Sequence, residues 1–225
     1  MAAEGARVEQ VTGRANTWIV GDDDDVIVID PGEDAAAVLD AVGDREVLAV
    51  ICTHGHGRHT SAAVEVAKRD DAPVALHPAD LPAWREVHSG GDPEIEMEDG
   101  GIFEVAEVTL EVLHAPGHSR GSCCLYSEEL AAVFSGDVVT ENGPVPHEDG
   151  FPNWAKQLDA IGAHVLTLPS ETRILLGHGD EFTVASADKR FNAWAAAGQE
   201  LPSMADGFGG YDAVDETLGD EDRAE

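Results

Sequence analysis

Three histidines follow directly after a short apolar run, and this feature constrains the fold more than any other. Residues 47–52 read VLAVIC, and His54, His56 and His59 follow within the segment THGHGRHT. The run is typical of a buried strand, and imidazole nitrogens are good ligands for zinc, iron or manganese. On a chain still extended at the strand end, residues two apart point the same way, so we expect His54 and His56 to face one ion. His59 lies beyond a glycine turn and is expected to face a second ion or the surrounding structure.

Strand-like and helix-like segments alternate along the chain. In the first half the pattern predicts strands at residues 26–29, 47–52 and 73–77, and helices at 33–42, 60–68 and 79–87. In the second half it predicts strands at residues 102–105, 108–113, 122–126, 130–134 and 173–176, a loop at 140–152, and helices at 153–167 and 186–197, the last ending at Gly198.

Composition indicates one globular domain over residues 1–200 and an acidic, flexible tail over residues 201–225. Apolar residues make up 43% of the 225-residue chain, which is enough for a core. No run approaches the roughly 18 consecutive apolar residues of a membrane span. The first residues lack the basic and apolar segments of a secretory signal, so we expect a cytoplasmic protein. The three cysteines form no CxxC pair and are interpreted as small core residues.

The net charge is strongly negative, at −32. Nucleic acids and anionic membranes repel such a field, so a small-molecule substrate is the expected partner. The acids are spread along the whole chain rather than gathered in one tail. This distribution fits a protein that stays soluble in concentrated salt, and a halophilic source is our hypothesis.

Three further candidate ligands share one local context, because each follows an apolar strand and lies beside glycine. They are His118 in the segment APGHS, Asp137 in SGD and His178 in GHG. Glycine allows a backbone and a ligand to approach closely at a strand end. Together with the first histidines they indicate a metal centre.

The ordered set of motifs resembles the metallo-β-lactamase superfamily and, within it, the glyoxalase II-like hydrolases. The resemblance rests on the segments DPG from Asp30, THGHGRH, APGHS, SGD and GHG, and it spans nearly the whole globular part. It implies an α/β fold, a four-layer αββα sandwich of two mixed β-sheets with metals at one edge. It also implies a metal-dependent hydrolase in which an activated water attacks a small thioester or ester.

The resemblance implies two metal positions. The first would be held by His54, His56 and His118, with Asp137 bridging. The second would take His59, His178 and Asp137. Asp30 matches a position that orients the ligand histidines. The expected cofactor is zinc, as one or two ions, with iron as the other candidate.

The chain departs from the family pattern at Arg58. The family reads His-x-His-x-Asp-His, and that aspartate both ligates the second metal and helps to orient the attacking water. A guanidinium stays ionised in proteins, so a cation would stand where a divalent ion binds. Alternatively, Arg58 is a surface arginine whose side chain swings away from the site, although the aspartate is then still absent.

Three outcomes stay open for this site. In the first, a single zinc in a site of three histidines supports hydrolysis, and Arg58 steadies a substrate carboxylate or an oxyanion. In the second, a single iron bound by His54, His118 and Asp137 gives an enzyme resembling the persulfide dioxygenases. In the third, the protein binds a metal or a small ligand without turnover.

The other histidines and one arginine are assigned lesser roles. His114 is interpreted as a structural strand-edge residue, His147 as a possible substrate contact in the 140–152 loop, and Arg120 as a solvated loop residue. The remaining histidines, which are set aside, are His77, His88 and His164.

Overall fold

The computed structural model describes residues 5–144 and 154–200, and for residues 198–200 it describes the backbone only. The predicted tail, residues 201–225, and His147 lie outside the described residues. Within the described part, the strands form two six-stranded sheets.

The first sheet has its strands in chain order. They are β1 (Arg7–Thr12), β2 (Asn16–Gly21), β3 (Asp25–Ile29), β4 (Glu46–Ile51), β5 (Val74–Leu76) and β6 (Ile95–Glu96). The strands β1 to β3 pair antiparallel, whereas β3 to β6 pair parallel. Because β3 and β4 are parallel, the residues that follow them emerge at the same edge of the sheet.

The second sheet runs in the reverse order, from its last strand to its first. Its strands are β7 (Ile102–Val105), β8 (Val108–His114), β9 (Cys123–Ser127), β10 (Ala132–Gly136), β11 (Arg173–Leu176) and β12 (Phe182–Thr183). Only β10 and β11 pair parallel among these described strands.

Helices cover the outer face of each sheet. They are α1 (Ala35–Val42), α3 (Ala63–Lys68) and α4 (Leu81–Val87) on the first sheet, and α5 (Trp154–Ala160) and α6 (Val184–Glu200) on the second. The short helix α2 (Gly57–Thr60) lies between β4 and α3 in the chain. A 3₁₀ turn (Pro78–Asp80) precedes α4, and a π-helical turn (Ile161–Val165) follows α5.

The alternation of side chains along each strand builds the layers. Along β3, Ile27 and Ile29 face the second sheet, whereas Val26 and Val28 face the helices. Between the sheets, the rings of Trp18 and Phe134 meet edge to face with their centroids 6.1 Å apart. The predicted four-layer αββα sandwich of two mixed β-sheets is therefore confirmed.

Some element boundaries differ from the sequence prediction. In place of the predicted helix at 60–68 there are two short helices, α2 and α3, with a break after Thr60. At this break Gly32 N donates to His59 O, and Gly32 O accepts from Ala62 N. Helix α6 continues past Gly198 to Glu200, so the prediction that Gly198 ends it was wrong. A glycine costs a helix only about 1 kcal/mol, which a helix packed on a sheet tolerates near its end.

Candidate metal centre

The predicted ligands meet at one edge of the sandwich because several strands end there. Asp30 follows β3, the first histidines follow β4, Asp137 follows β10, and His178 follows β11. His118 lies in the loop between β8 and β9. The topology alone therefore gathers residues that are widely separated in the sequence.

Asp30 fixes the segment that follows β4. Its carboxylate accepts hydrogen bonds from Thr53 N and Thr53 Oγ1, both at 2.7 Å. The same carboxylate lies 3.0 Å from His59 Nδ1. This contact leaves His59 Nε2 to face Asp137, so Asp30 lies where a residue that orients ligand histidines is expected.

The first cluster consists of His54, His56 and His118. One ring nitrogen from each lies within 4.8 Å of the others. His56 Nδ1 and His118 Nε2 are 3.1 Å apart. Two nitrogens on one tetrahedral zinc, each at 2.0–2.1 Å from the ion, would be separated by about 3.3 Å. The spacing of the two rings is thus close to that of ligands sharing one ion.

The second cluster consists of His59, Asp137 and His178, again with donor atoms within 4.8 Å of one another. Asp137 Oδ2 lies 3.4 Å from both His59 Nε2 and His178 Nε2. The same oxygen lies 3.7 Å from His118 Nε2. One carboxylate therefore contacts both clusters, as the predicted bridging role requires.

Some buried polar atoms at the centre lack a hydrogen-bond partner in the described part of the chain. Within the described residues, His54 Nε2 and Asp137 Oδ1 are buried and accept or donate no hydrogen bond. Buried polar atoms are nearly always hydrogen-bonded, so such atoms call for an explanation. Nitrogen and carboxylate donors with this arrangement fit a divalent metal ion, which would use the lone pairs left over.

The electrostatics of the cluster also favour a cation. Burial alone would lower the pKa of His59, but the carboxylates of Asp137 and Asp30 overcome this effect and raise it to about 10. Burial would raise the pKa of Asp137, yet the neighbouring His59 and His178 hold it well below its usual range. Burial and the adjacent imidazoles lower the pKa of His54. In the absence of a metal, the two carboxylates thus keep His59 protonated. A divalent cation bound at this position would replace that proton.

Close approach at this edge requires a glycine at position 177. A Cβ atom there would lie 2.5 Å from Asp137 Oδ1 and 2.8 Å from His59 Cε1. Real Cβ atoms essentially never come that close to another heavy atom. The glycine beside His178 therefore makes room for the second cluster, as the sequence motif indicated.

Arg58 lies on α2, between His56 and His59, and its side chain is exposed. This exposure is what we expect if Arg58 is a surface arginine whose side chain points away from the site. Whether the arginine acts on a metal or a substrate stays a prediction.

The histidines set aside have structural surroundings. His77 and His114 stack with their ring centroids 4.1 Å apart, and His114 Nε2 lies 3.0 Å from Arg120 O. His88 stacks on Trp84 and lies 3.0 Å from Thr60 O. His164 lies in the π-helical turn, away from the clusters.

Two residues around the centre were not found from the sequence. Asn16 opens β2, and its Nδ2 donates to Leu176 O and Gly179 O at 3.0 and 2.9 Å, on either side of His178. Asp80 is buried between the two histidine-bearing loops. Neither lies in a glycine-flanked histidine motif, and no other local signal marks them.

The fold and the site together define a metal-binding protein on an αββα sandwich. The family model described as the metallo-beta-lactamase superfamily matches residues 11–178. The chain belongs to this superfamily, which confirms the resemblance at that level.

Relatives of known sequence agree with this assignment. An uncharacterized protein of Aquifex aeolicus (strain VF5) is 32% identical over 194 residues, which are 80% of this chain and 91% of that protein. The probable metallo-hydrolase YqgX of Bacillus subtilis (strain 168) is 29% identical over 185 residues, 76% of this chain and 88% of that protein. Atrochrysone carboxyl ACP thioesterase dmxR1 of Cryptosporiopsis sp. (strain 8999) is 30% identical over 155 residues, 66% of this chain and 45% of that protein.

Solved structures share the same fold. The BLEG-1 B3 metallo-beta-lactamase superposes with a TM-score of 0.73 at 25% identity, over 81% of this chain and 97% of that one. The protein TTHA1623 in a di-iron-bound form superposes with a TM-score of 0.70 at 26% identity, over the same shares of the two chains.

None of the helices in the described part of the chain has the length and apolar composition that spanning a membrane needs.

Proposed function

We propose that this chain is a metal-dependent hydrolase of a small thioester or ester, in the manner of glyoxalase II. The observation that carries the proposal is the cluster of His54, His56 and His118, whose donor atoms converge beside Asp137. Three histidine ligands leave a coordination position open, which is the arrangement of catalytic rather than structural zinc sites.

The residues of the chain have distinct tasks in this proposal. His54, His56 and His118 would hold the principal ion, and Asp137 would lie between it and the second cluster. His59 and His178 would hold a second ion or the hydrogen-bond frame around the first. A zinc ion bound there supplies a water of pKa near 7 and polarises a carbonyl. Asp137, acceptor-only when ionised, would accept a hydrogen bond from the attacking water molecule.

The relatives support the class of reaction. One is described as a probable metallo-hydrolase, and another as a thioesterase acting on an acyl carrier protein. We therefore propose a carbonyl carbon bonded to sulfur or oxygen as the reacting centre. The charge of −32 favours a small molecule over a nucleic acid or an anionic membrane as the partner, and a cytoplasmic location belongs to the same proposal.

Zinc is the proposed metal, and iron is its competitor because a solved relative holds two iron ions. Elemental analysis of protein purified in concentrated salt decides between them. One iron per chain, with oxygen-dependent turnover of a persulfide, would replace the hydrolase by the dioxygenase alternative.

The experiment that tests the function is hydrolysis of a generic thioester with and without a chelator. We expect turnover that is lost on chelation and restored by zinc. His54→Ala removes one ligand and should abolish both zinc binding and turnover. His164→Ala, in the π-helical turn, is the matched control and should change neither. Absence of turnover with zinc, iron or manganese would replace the hydrolase by a binding protein without catalysis.

A further inference from the structure

Asp80 is a buried carboxylate between the two loops that supply the first histidine cluster. It ends the 3₁₀ turn that precedes α4, and only 4% of its surface is exposed. An ionised carboxylate is rarely so buried unless other groups satisfy its oxygens. Its hydrogen bonds therefore indicate what holds it there.

The donors to Asp80 come from both histidine loops. Oδ2 accepts from Gly55 N at 2.9 Å, and Gly55 lies between His54 and His56. The same oxygen accepts from Ser119 Oγ at 2.6 Å, and Ser119 follows His118. One carboxylate thus joins the backbone of one loop to the side chain of the other.

A third donor extends this connection along the second loop. Oδ1 accepts from Gly121 N at 2.6 Å. A Cβ atom at position 121 would lie 2.9 Å from the same oxygen, so only glycine lets this backbone approach the carboxylate. The loop from His118 to Gly121 is consequently held at two points.

These three bonds need an acceptor with two oxygens. An ionised aspartate only accepts, whereas an asparagine of the same shape presents an NH₂ group on one side. In an asparagine at position 80, that group would face either Gly121 N–H or Gly55 N–H, and two donors would then oppose each other. The hydrogen-bond pattern therefore requires the carboxylate itself.

We propose that Asp80 is a positioning residue for the first metal site. By joining the two loops, it sets the separation of His56 and His118, whose facing nitrogens are 3.1 Å apart. The inference rests on the proposed function only for the assignment of His54, His56 and His118 as ligands. It makes no use of the substrate or the reaction.

The test is the zinc affinity of Asp80→Asn in the full chain, measured by competition with a chelator. The loss of an outer partner of metal ligands typically weakens metal binding by about 10–100-fold, and we expect a loss in this range. The cobalt(II)-substituted protein should show an altered ligand-field spectrum, because the rings would relax from their present spacing. A purely structural role would not move this spectrum.

Asp70→Asn is the matched control. Asp70 Oδ2 accepts from Val47 N at 2.8 Å near the start of β4, whereas the histidines follow the other end of that strand. This variant should lose some stability and keep the zinc affinity and the cobalt spectrum of the parent protein. Equal affinity and an unchanged spectrum in Asp80→Asn would overturn the inference.

Ser119→Ala keeps the test decisive if Asp80→Asn does not fold. It removes one of the three bonds, and we expect a few-fold loss of zinc affinity. Retention of full affinity in this variant would count against the proposed role. A parent protein that binds zinc without any turnover would refute the hydrolase and leave the role of Asp80 intact. A parent protein that binds no metal would refute both.

Discussion

At the scale of single residues, Asp137 is a carboxylate that contacts both histidine clusters. Its Oδ2 atom lies within 3.4 to 3.7 Å of a ring nitrogen of His59, His178 and His118. The exposed surface of Asp137 is only 7%, so its charge is poorly hydrated and depends on these neighbours. Two metal positions at this edge would share it.

We expect Asp137→Asn to bind less metal and to lose turnover. The amide keeps the shape but has neither the charge nor two acceptor oxygens. Removing a residue that hydrogen-bonds to a metal ligand lowers the metal affinity roughly 10–100-fold. Because Asp137 is itself a proposed ligand, we expect its substitution to lower the metal affinity by more than this. Elemental analysis and thioester hydrolysis measure the two effects. Asp188→Asn, on the exposed face of α6, is the control, and parent-like metal content in Asp137→Asn would exclude a ligand role.

Arg58 makes a second prediction at this scale. Arg58→Asp exchanges a cation for a carboxylate between His56 and His59, so we expect one additional metal ion per chain. Arg58→Ala removes the positive charge without supplying a ligand. It therefore distinguishes the effect of removing charge repulsion from the effect of adding a carboxylate ligand. Elemental analysis of the three proteins in parallel measures the difference. Two ions already present in the parent protein would show that the arginine does not limit the second site.

The clustering of these side chains could be predicted from the sequence, because each lies in a local pattern. His118, Asp137 and His178 follow apolar strands beside glycine, and the fold places these strand ends at one edge. Asp80 could not be predicted in this way, since its partner Ser119 is 39 residues away and belongs to the other sheet's loops. A carboxylate that joins distant loops leaves no periodic or spacing signal in the chain.

At the scale of elements, the predicted strands were those with continuous apolar runs. β3 and β4 are buried on both faces, and such runs are visible in a sequence. β1 and β2 were not predicted. β1 is a partly exposed edge strand with the sequence RVEQVT, whose polar residues weaken any strand pattern. Two-residue strands such as β6 and β12 are set by their neighbours rather than by their own residues.

The β2–β11 connection supplies a prediction at the scale of elements. Asn16 N donates to Gly177 O at 2.7 Å, and its side chain bonds to carbonyls on both sides of His178. Asn16→Ala removes both side-chain hydrogen bonds, although Leu176 O still accepts from Trp18 Nε1 at 3.2 Å. The loss of a typical hydrogen bond costs about 1 kcal/mol. We expect a lower free energy of unfolding and a weaker second metal site, with the first site retained.

Urea unfolding and the stoichiometry of zinc binding measure these two effects. Asn192→Ala, at an exposed position of α6, is the matched control and should change neither. A variant of Asn16 with reduced stability but two unchanged metal affinities would show that β2 supports the fold without positioning His178.

At the scale of the whole molecule, the charge of −32 sets the conditions under which the fold is stable. Like charges repel each other more strongly in the compact state than in the extended chain. The ion pairs near the surface, such as those of Arg85 with Asp92 and Arg173 with Glu181, offset little of this repulsion, because solvent screens the attraction between exposed charges.

We therefore expect the midpoint of thermal unfolding to rise between 0.1 and 2 M potassium chloride. The screening length falls from about 10 Å at 0.1 M to about 3 Å at 1 M, so most of the repulsion disappears within this range. Sucrose at low salt is the control, since it strengthens the burial of apolar surface without screening charge. A steep response to chloride and a shallow one to sucrose would support stabilisation by screening. A midpoint that does not respond to potassium chloride would contradict the halophilic hypothesis. It would show that repulsion among the distributed acidic residues does not destabilise this fold.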